Sequence, residues 1–96
     1  MISSQWTFFS NHAHVLFILY QHPNITMKDI STAVGITERA VHKIIKELEA
    51  FYYIKSKKEG RRNTYTLNLN KPLRHKIEKH CKIKDLIQLI SLEDKK

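Results

Sequence analysis

The sequence predicts a mostly α-helical chain with one small β-hairpin, an α+β fold. Three observations predict it. Residues 38–52 carry two opposed stripes, one apolar and one basic, at helical spacing. Gly35 separates that segment from a shorter amphipathic one at 28–34. Two runs that read as strands, 54–58 and 63–69, are joined by Glu-Gly-Arg-Arg.

The elements follow in order. An arm at 1–9 carries Trp6, Phe8 and Phe9 ahead of a helix at 11–21, with Ser10 as its N-cap and Pro23 just beyond its end. Val15, Leu16, Ile18 and Leu19 are its expected core side. Thr26 with Asp29 three residues on resembles a capping box and opens the helix at 28–34, with Ile30, Ala33 and Val34 as its buried face. A glycine at 35 supplies the left-handed residue that turns the chain sharply, Ile36 plugs the corner, and Thr37 caps the next helix. In that helix Val41, Ile44, Ile45 and Leu48 form one face. Arg39, His42, Lys43 and Lys46 repeat the spacing from two residues earlier, about 200° around the axis, so they point almost directly away from it. In the second strand Tyr65, Leu67 and Leu69 alternate with Thr64, Thr66 and Asn68, the period of a half-buried strand. A last helix at 82–92 sets Ile83, Leu86, Ile87 and Ile90 on one face, widened by Leu89 and Leu92. Short helix, glycine turn, capped second helix and basic-tipped hairpin together describe a winged helix-turn-helix with an added C-terminal helix. The 96 residues then read as one domain: arm 1–9, winged-helix core 10–70, and a basic connector with the last helix at 71–96.

Formal charge is +8, and its placement is informative. Residues 1–27 hold no Lys, Arg, Asp or Glu. Bases and acids balance at four each over 28–54 and at three each over 83–96, whereas 55–82 hold ten bases and two acids. A localised basic region points to polyphosphate or another anionic surface. No apolar run approaches the roughly 20 residues of a membrane span, and the start lacks the basic region of a signal peptide. One cysteine, Cys81, fits a reducing cytosol. His75, His80 and Cys81 are the one near-cluster of metal-ligating types, at a spacing unlike common zinc patterns. With no glycine-rich phosphate loop, nucleophile elbow or paired carboxylates, the expectation is a binding protein without enzymatic activity or cofactor.

Residues 26–69 resemble the DNA-binding core of winged helix-turn-helix transcription regulators of the broad MarR/ArsR type. The wider stretch, from Trp6-Thr-Phe-Phe-Ser-Asn-His-Ala-His through Gly60-Arg-Arg-Asn-Thr-Tyr-Thr-Leu to Pro72-Leu-Arg-His, is similar to a group of small prokaryotic members. Ser31 departs from the usual Ala at the packed position of the first motif helix, and the ArsR-type cysteine metal motif is missing. The resemblance implies a cytoplasmic, nucleoid-associated regulator that binds double-stranded DNA. Arg39 and His42 would lie near base edges, Lys43 and Lys46 near the backbone, and Thr37 with the helix start at a phosphate. At the wing, Lys57, Lys58, Arg61, Arg62 and Asn63 would grip phosphate or the minor groove. It also implies a homodimer through terminal segments, with Trp6, Phe9, Ile83, Leu86, Ile87 and Ile90 as the expected seam. Two other classes stay open on sequence: a non-regulatory binder of DNA or RNA, and a protein-interaction module.

Overall fold

The computed structural model describes residues 6–91. They form α1 (Asn11–Gln21), α2 (Met27–Val34), α3 (Glu38–Ala50), β1 (Ile54–Glu59), β2 (Arg62–Leu67) and α4 (Ile83–Ser91). The fold is therefore a helical domain carrying one antiparallel two-stranded hairpin. Leu92, assigned above to the last helix, lies outside the described residues.

The first three helices begin as the side chains dictate. Ser10, Thr26 and Thr37 each sit in extended backbone and accept a bond from the amide three residues on, at 3.4, 3.1 and 3.0 Å. Thr26 and Asp29 make only the forward half of a capping box; aspartate is one methylene shorter than the glutamate that usually completes it. Ser31 is accommodated because its hydroxyl donates to the Lys28 carbonyl at 2.8 Å. Gly35 closes α2 at φ +87°, and its amide and that of Ile36 both donate to the Ser31 carbonyl.

The core joins Val15, Leu16 and Leu19 of α1 to Ile30, to Val41, Ile44, Ile45 and Leu48 of α3, to Tyr53, Ile54 and Tyr65, and to Ile83 and Ile87 of α4. One expectation fails here. Ala33 is exposed, and the contact line of α2 is Met27, Ile30 and Val34 instead. These three fall within about 60° of arc, whereas Ala33 lies about 60° to the other side of Ile30. Two turns of helix touch the core along a single line, so the flanking small residue is left in solvent.

α3 stops at Ala50, two residues before the apolar pattern runs out. Tyr52 takes φ +64°, Tyr53 N–H donates to the Leu48 carbonyl at 2.8 Å, and Tyr52 N–H donates to the Glu49 carbonyl at 3.0 Å. That is a Schellman closure with tyrosine where glycine is usual. It redirects the chain into β1, which pairs with β2 from Ile54↔Leu67 to Glu59↔Arg62. The two-residue turn has Gly60 at φ +66°, while Arg61 keeps φ negative, the arrangement of a type II′ hairpin. Tyr65 N–H donates to the Pro23 carbonyl at 3.0 Å, so the wing is also bonded to the loop after α1.

The connector is a loop with a closed neck. Ile83 N–H donates to the Lys71 carbonyl and Leu73 N–H to the Cys81 carbonyl, at 3.0 and 2.9 Å. The Tyr53 hydroxyl donates to the Pro72 carbonyl at 2.7 Å. Burial pushes the Tyr53 phenol up from its ordinary range.

Two backbone substitutions should move stability in opposite directions. Gly35→Ala meets nothing within 4 Å, so its cost is conformational only, about 1 kcal/mol. Tyr52→Gly should relieve the left-handed tyrosine and raise stability by about 1 kcal/mol. Urea titration of both variants checks the pair.

Candidate nucleic-acid interface

The geometry of α3 follows from burial on one side. With Val41, Ile44, Ile45 and Leu48 in the core, the opposite stripe of Arg39, His42, Lys43 and Lys46 is exposed along its whole length. The stripe begins one turn after Gly35 and ends where α3 meets α1. There, Glu47 accepts from His12 Nε2 at 2.6 Å. This is the one close contact between a basic side chain and a carboxylate among the described residues, so no described Lys or Arg is paired with a described carboxylate. The Thr37 hydroxyl oxygen is occupied by the Ala40 amide, which leaves backbone N–H groups of the first turn as the donors at the helix start.

The wing residues Lys57, Lys58, Arg61, Arg62 and Asn63 are all exposed. They do not form one set. Lys57, Lys58 and Arg61 reach solvent from the strand and the turn. Arg62 instead donates a guanidinium N–H to the Asn24 carbonyl at 3.2 Å, tying the wing to the α1–α2 loop. Residues 24 and 62 are 38 apart in sequence, and no local pattern marks this contact. Lys55, also exposed on β1, adds a further cation that the sequence reading left out of the site.

The six residues expected at a seam are divided by the structure. Ile83 and Ile87 are buried in the chain's own core. Phe9 is half-buried and packs edge-on against Phe17, with ring centroids 5.5 Å apart. Leu86 and Ile90 are half-buried, and Trp6 is 69% exposed. Phe8, 90% exposed, packs edge-on against Trp6 with ring centroids 5.0 Å apart, and Leu89 is 57% exposed. A groove of about 650 Å³ runs between the arm, α1, the end of α3, the connector and α4; Phe9, Leu16, Phe51, Arg74 and Leu86 are among its walls.

Among the described residues no three of His, Cys, Asp and Glu converge as metal ligands. No described helix is long and apolar enough to cross a membrane.

Residues 11–50, from α1 through the end of α3, match the family model described as winged helix-turn-helix DNA-binding. The chain is a winged helix-turn-helix of MarR-like fold. The zinc-responsive MarR family member ZitR of Lactococcus lactis shares 28% identity at a TM-score of 0.52, over 68% of this chain and 46% of that one. The same protein in complex with DNA gives 26% and 0.55, again over 68% and 46%. MepR, a transcription regulator of the Staphylococcus aureus multidrug efflux pump MepA, gives 25% and 0.57 over 88% of this chain and 57% of that one. No curated protein matches. The MarR-like chain spans about half the length of the solved structures it resembles.

The His12–Glu47 bridge generates a pH prediction. The hydrogen bond from His12 is the largest influence holding the Glu47 carboxyl below its ordinary 4.5. A carboxyl depressed in the folded state stabilises above its unfolded pKa, and that contribution is lost as pH falls through the folded one. Glu47→Gln should therefore be less stable than wild type at pH 5–6 and equal to it well below 4.5. Thermal melts across that range check the convergence.

Proposed function

We propose that this protein is a transcription regulator that binds duplex DNA with sequence preference, placing α3 in the major groove and the wing on the backbone or minor groove. One observation carries the reading. A helix anchored by one stripe offers four exposed basic side chains on the other, immediately after a glycine turn and beside a basic wing. The match of residues 11–50 to a DNA-binding family model supports it, as does the likeness to ZitR and MepR.

Each residue has an assignable part. Arg39 and His42, in the first half of α3, lie where side chains reach base edges; Arg39 has the fork that pairs with guanine. Lys43 and Lys46 run on toward the backbone as point charges. The amides of the first turn behind Thr37 take a phosphate at the positive end of the helix. Lys57, Lys58, Arg61 and Asn63 hold the neighbouring backbone, and Arg62 steadies the wing. The role is binding without chemistry, in the cytoplasm on the nucleoid. Enrichment of bound duplexes from a random pool, at two salt concentrations, tests this directly. A recurring motif supports sequence preference, and stronger retention of RNA or of an acidic protein than of any duplex overturns it.

The second part of the reading is a homodimer that reads a pseudo-palindrome. The uncharged arm and first helix, together with exposed Leu89 and half-buried Leu86 and Ile90, offer a neutral apolar face. Ile83 and Ile87 support that face from beneath rather than meeting a partner. Two-fold symmetry would then set recognition helices about 34 Å apart for successive major grooves.

Two measurements separate these parts. Arg39→Ala should cost about 1–3 kcal/mol on the preferred duplex and relax the preference at one base pair. Arg61→Ala should weaken all duplexes alike and flatten the salt dependence by about one unit. Titrations on matched and scrambled duplexes distinguish them. Leu86→Lys with Ile90→Lys should yield monomers in sedimentation at micromolar concentration, with palindrome affinity falling to that of a half-site. Monomeric wild type, or a double mutant with normal affinity, sinks the dimer.

A further inference from the structure

The whole charge excess of this chain is held in two equal parcels. The wing, 55–62, has five bases and one acid, and the connector, 71–82, also has five bases and one acid; elsewhere bases and acids cancel. The reading above uses the wing and leaves the connector, with an equal excess, unassigned.

The tip of the wing and the outer part of the connector sit toward opposite ends of α1, which measures the gap. Its first turn meets the C-terminal end of α3 through His12 and Glu47. Beside that end lies the connector, where Arg74 stacks over Phe51 at 4.0 Å and the Tyr53 hydroxyl holds Pro72. After its last turn, the Pro23 and Asn24 carbonyls take bonds from Tyr65 and Arg62 of the wing. Eleven residues of helix separate the two by about 16 Å, and the hairpin tip projects further still. Along α3 the basic stripe ends at Lys46; Glu47, Glu49, Phe51 and Tyr52 intervene before the connector. Lys55 and Lys71 both border Tyr52, so the two parcels approach at their bases, while the hairpin tip and the exposed stretch 74–80 stand apart.

The connector is also an ordered surface. Its neck is closed by backbone bonds at Lys71, Leu73, Cys81 and Ile83. Arg74 is held on an aromatic face, and Lys71 lies over the Tyr52 and Tyr53 rings at 5.7 and 5.5 Å. His75 Nδ1 accepts from the Ile77 amide at 3.1 Å, so a neutral ring carries its proton on Nε2 as a further donor. Every residue from 74 to 80 is exposed, and the lone acid, Glu78, makes no ion pair among the described residues.

We propose that the connector, residues 71–82, is a second phosphate-binding surface, and that it engages the backbone of a second DNA duplex while α3 and the wing hold the first. The protein then bridges two duplexes, the connector contributing no base contacts and so no sequence preference. This rests on the reading of α3 and the wing as a DNA interface.

The test loads the full-length protein on a bead-bound duplex, washes it, and adds a second, fluorescent duplex of unrelated sequence. Wild type should capture it, the more so at low salt. Lys76→Glu with Lys79→Glu should keep its affinity for the first duplex and capture about tenfold less of the second. Three results overturn the proposal: no capture by wild type, equal capture by the double variant, or an equal loss of first-duplex affinity, which would place the connector on the same duplex as the wing. Failure of wild type to bind the bead-bound duplex at all would overturn the reading beneath it as well. Sedimentation of the double variant should match wild type, which excludes a lost dimer as the cause of lost capture.

Discussion

The seating of α3 on α1 and α2 governs what the rest of this molecule can do. Val15, Leu19, Ile30 and Val41, from three helices, meet with no exposed area. In a domain this small there is one such core, and each helix can give it only one stripe. Once the apolar side of α3 is committed there, rotation about its axis is fixed, and the cationic side has nowhere to face but water. The turn at Gly35 acts with the same effect from the other end. It lets a two-turn helix fold back against α3 without a long linker, so Glu38 and Arg39 in the first turn of α3 stay exposed while Val41 enters the core.

The ends of the domain are closed by different chemistry. At the wing end, backbone and guanidinium bonds to the Pro23 and Asn24 carbonyls steady a hairpin that is too short to persist alone. At the other end, Tyr53 does the work. It completes the Schellman closure of α3, sits in the core, and donates through its hydroxyl to the connector. One residue thereby couples the end of the recognition helix to the loop that leads into α4. Because carboxylates are few near either basic region, the positive field at both is left almost whole. Added salt screens it over about 10 Å at 0.1 M.

Much of this was legible before any coordinates. The capping side chains at 10, 26 and 37 announce three helix starts, and all three hydrogen bonds form. The opposed stripes of α3 were legible for the same reason: helical spacing is a local property. What misled was equally local. The apolar pattern ran on through 52, and the left-handed tyrosine that ends α3 has no glycine to announce it. Ala33 carried an apolar letter, but its exposure depends on how narrowly α2 meets its neighbours.

The sequence by itself determined the elements, their order, the two faces of α3 and the placement of charge, since all of these depend on residues within a few positions of each other. Tertiary structure alone decided the roles of residues whose partners are distant. Arg62 became a tether because Asn24 is beside it in space, and Ile83 and Ile87 were drawn into the core by α1 rather than left for a partner. The same holds for the separation of the two basic regions. Adjacent in the chain and close at their bases, their outer parts stand apart in space because the hairpin reverses direction and the connector returns to the start of α1. Local interactions repeat with a readable period; contacts between distant segments depend on the closed path of the whole chain, and no window of sequence contains it.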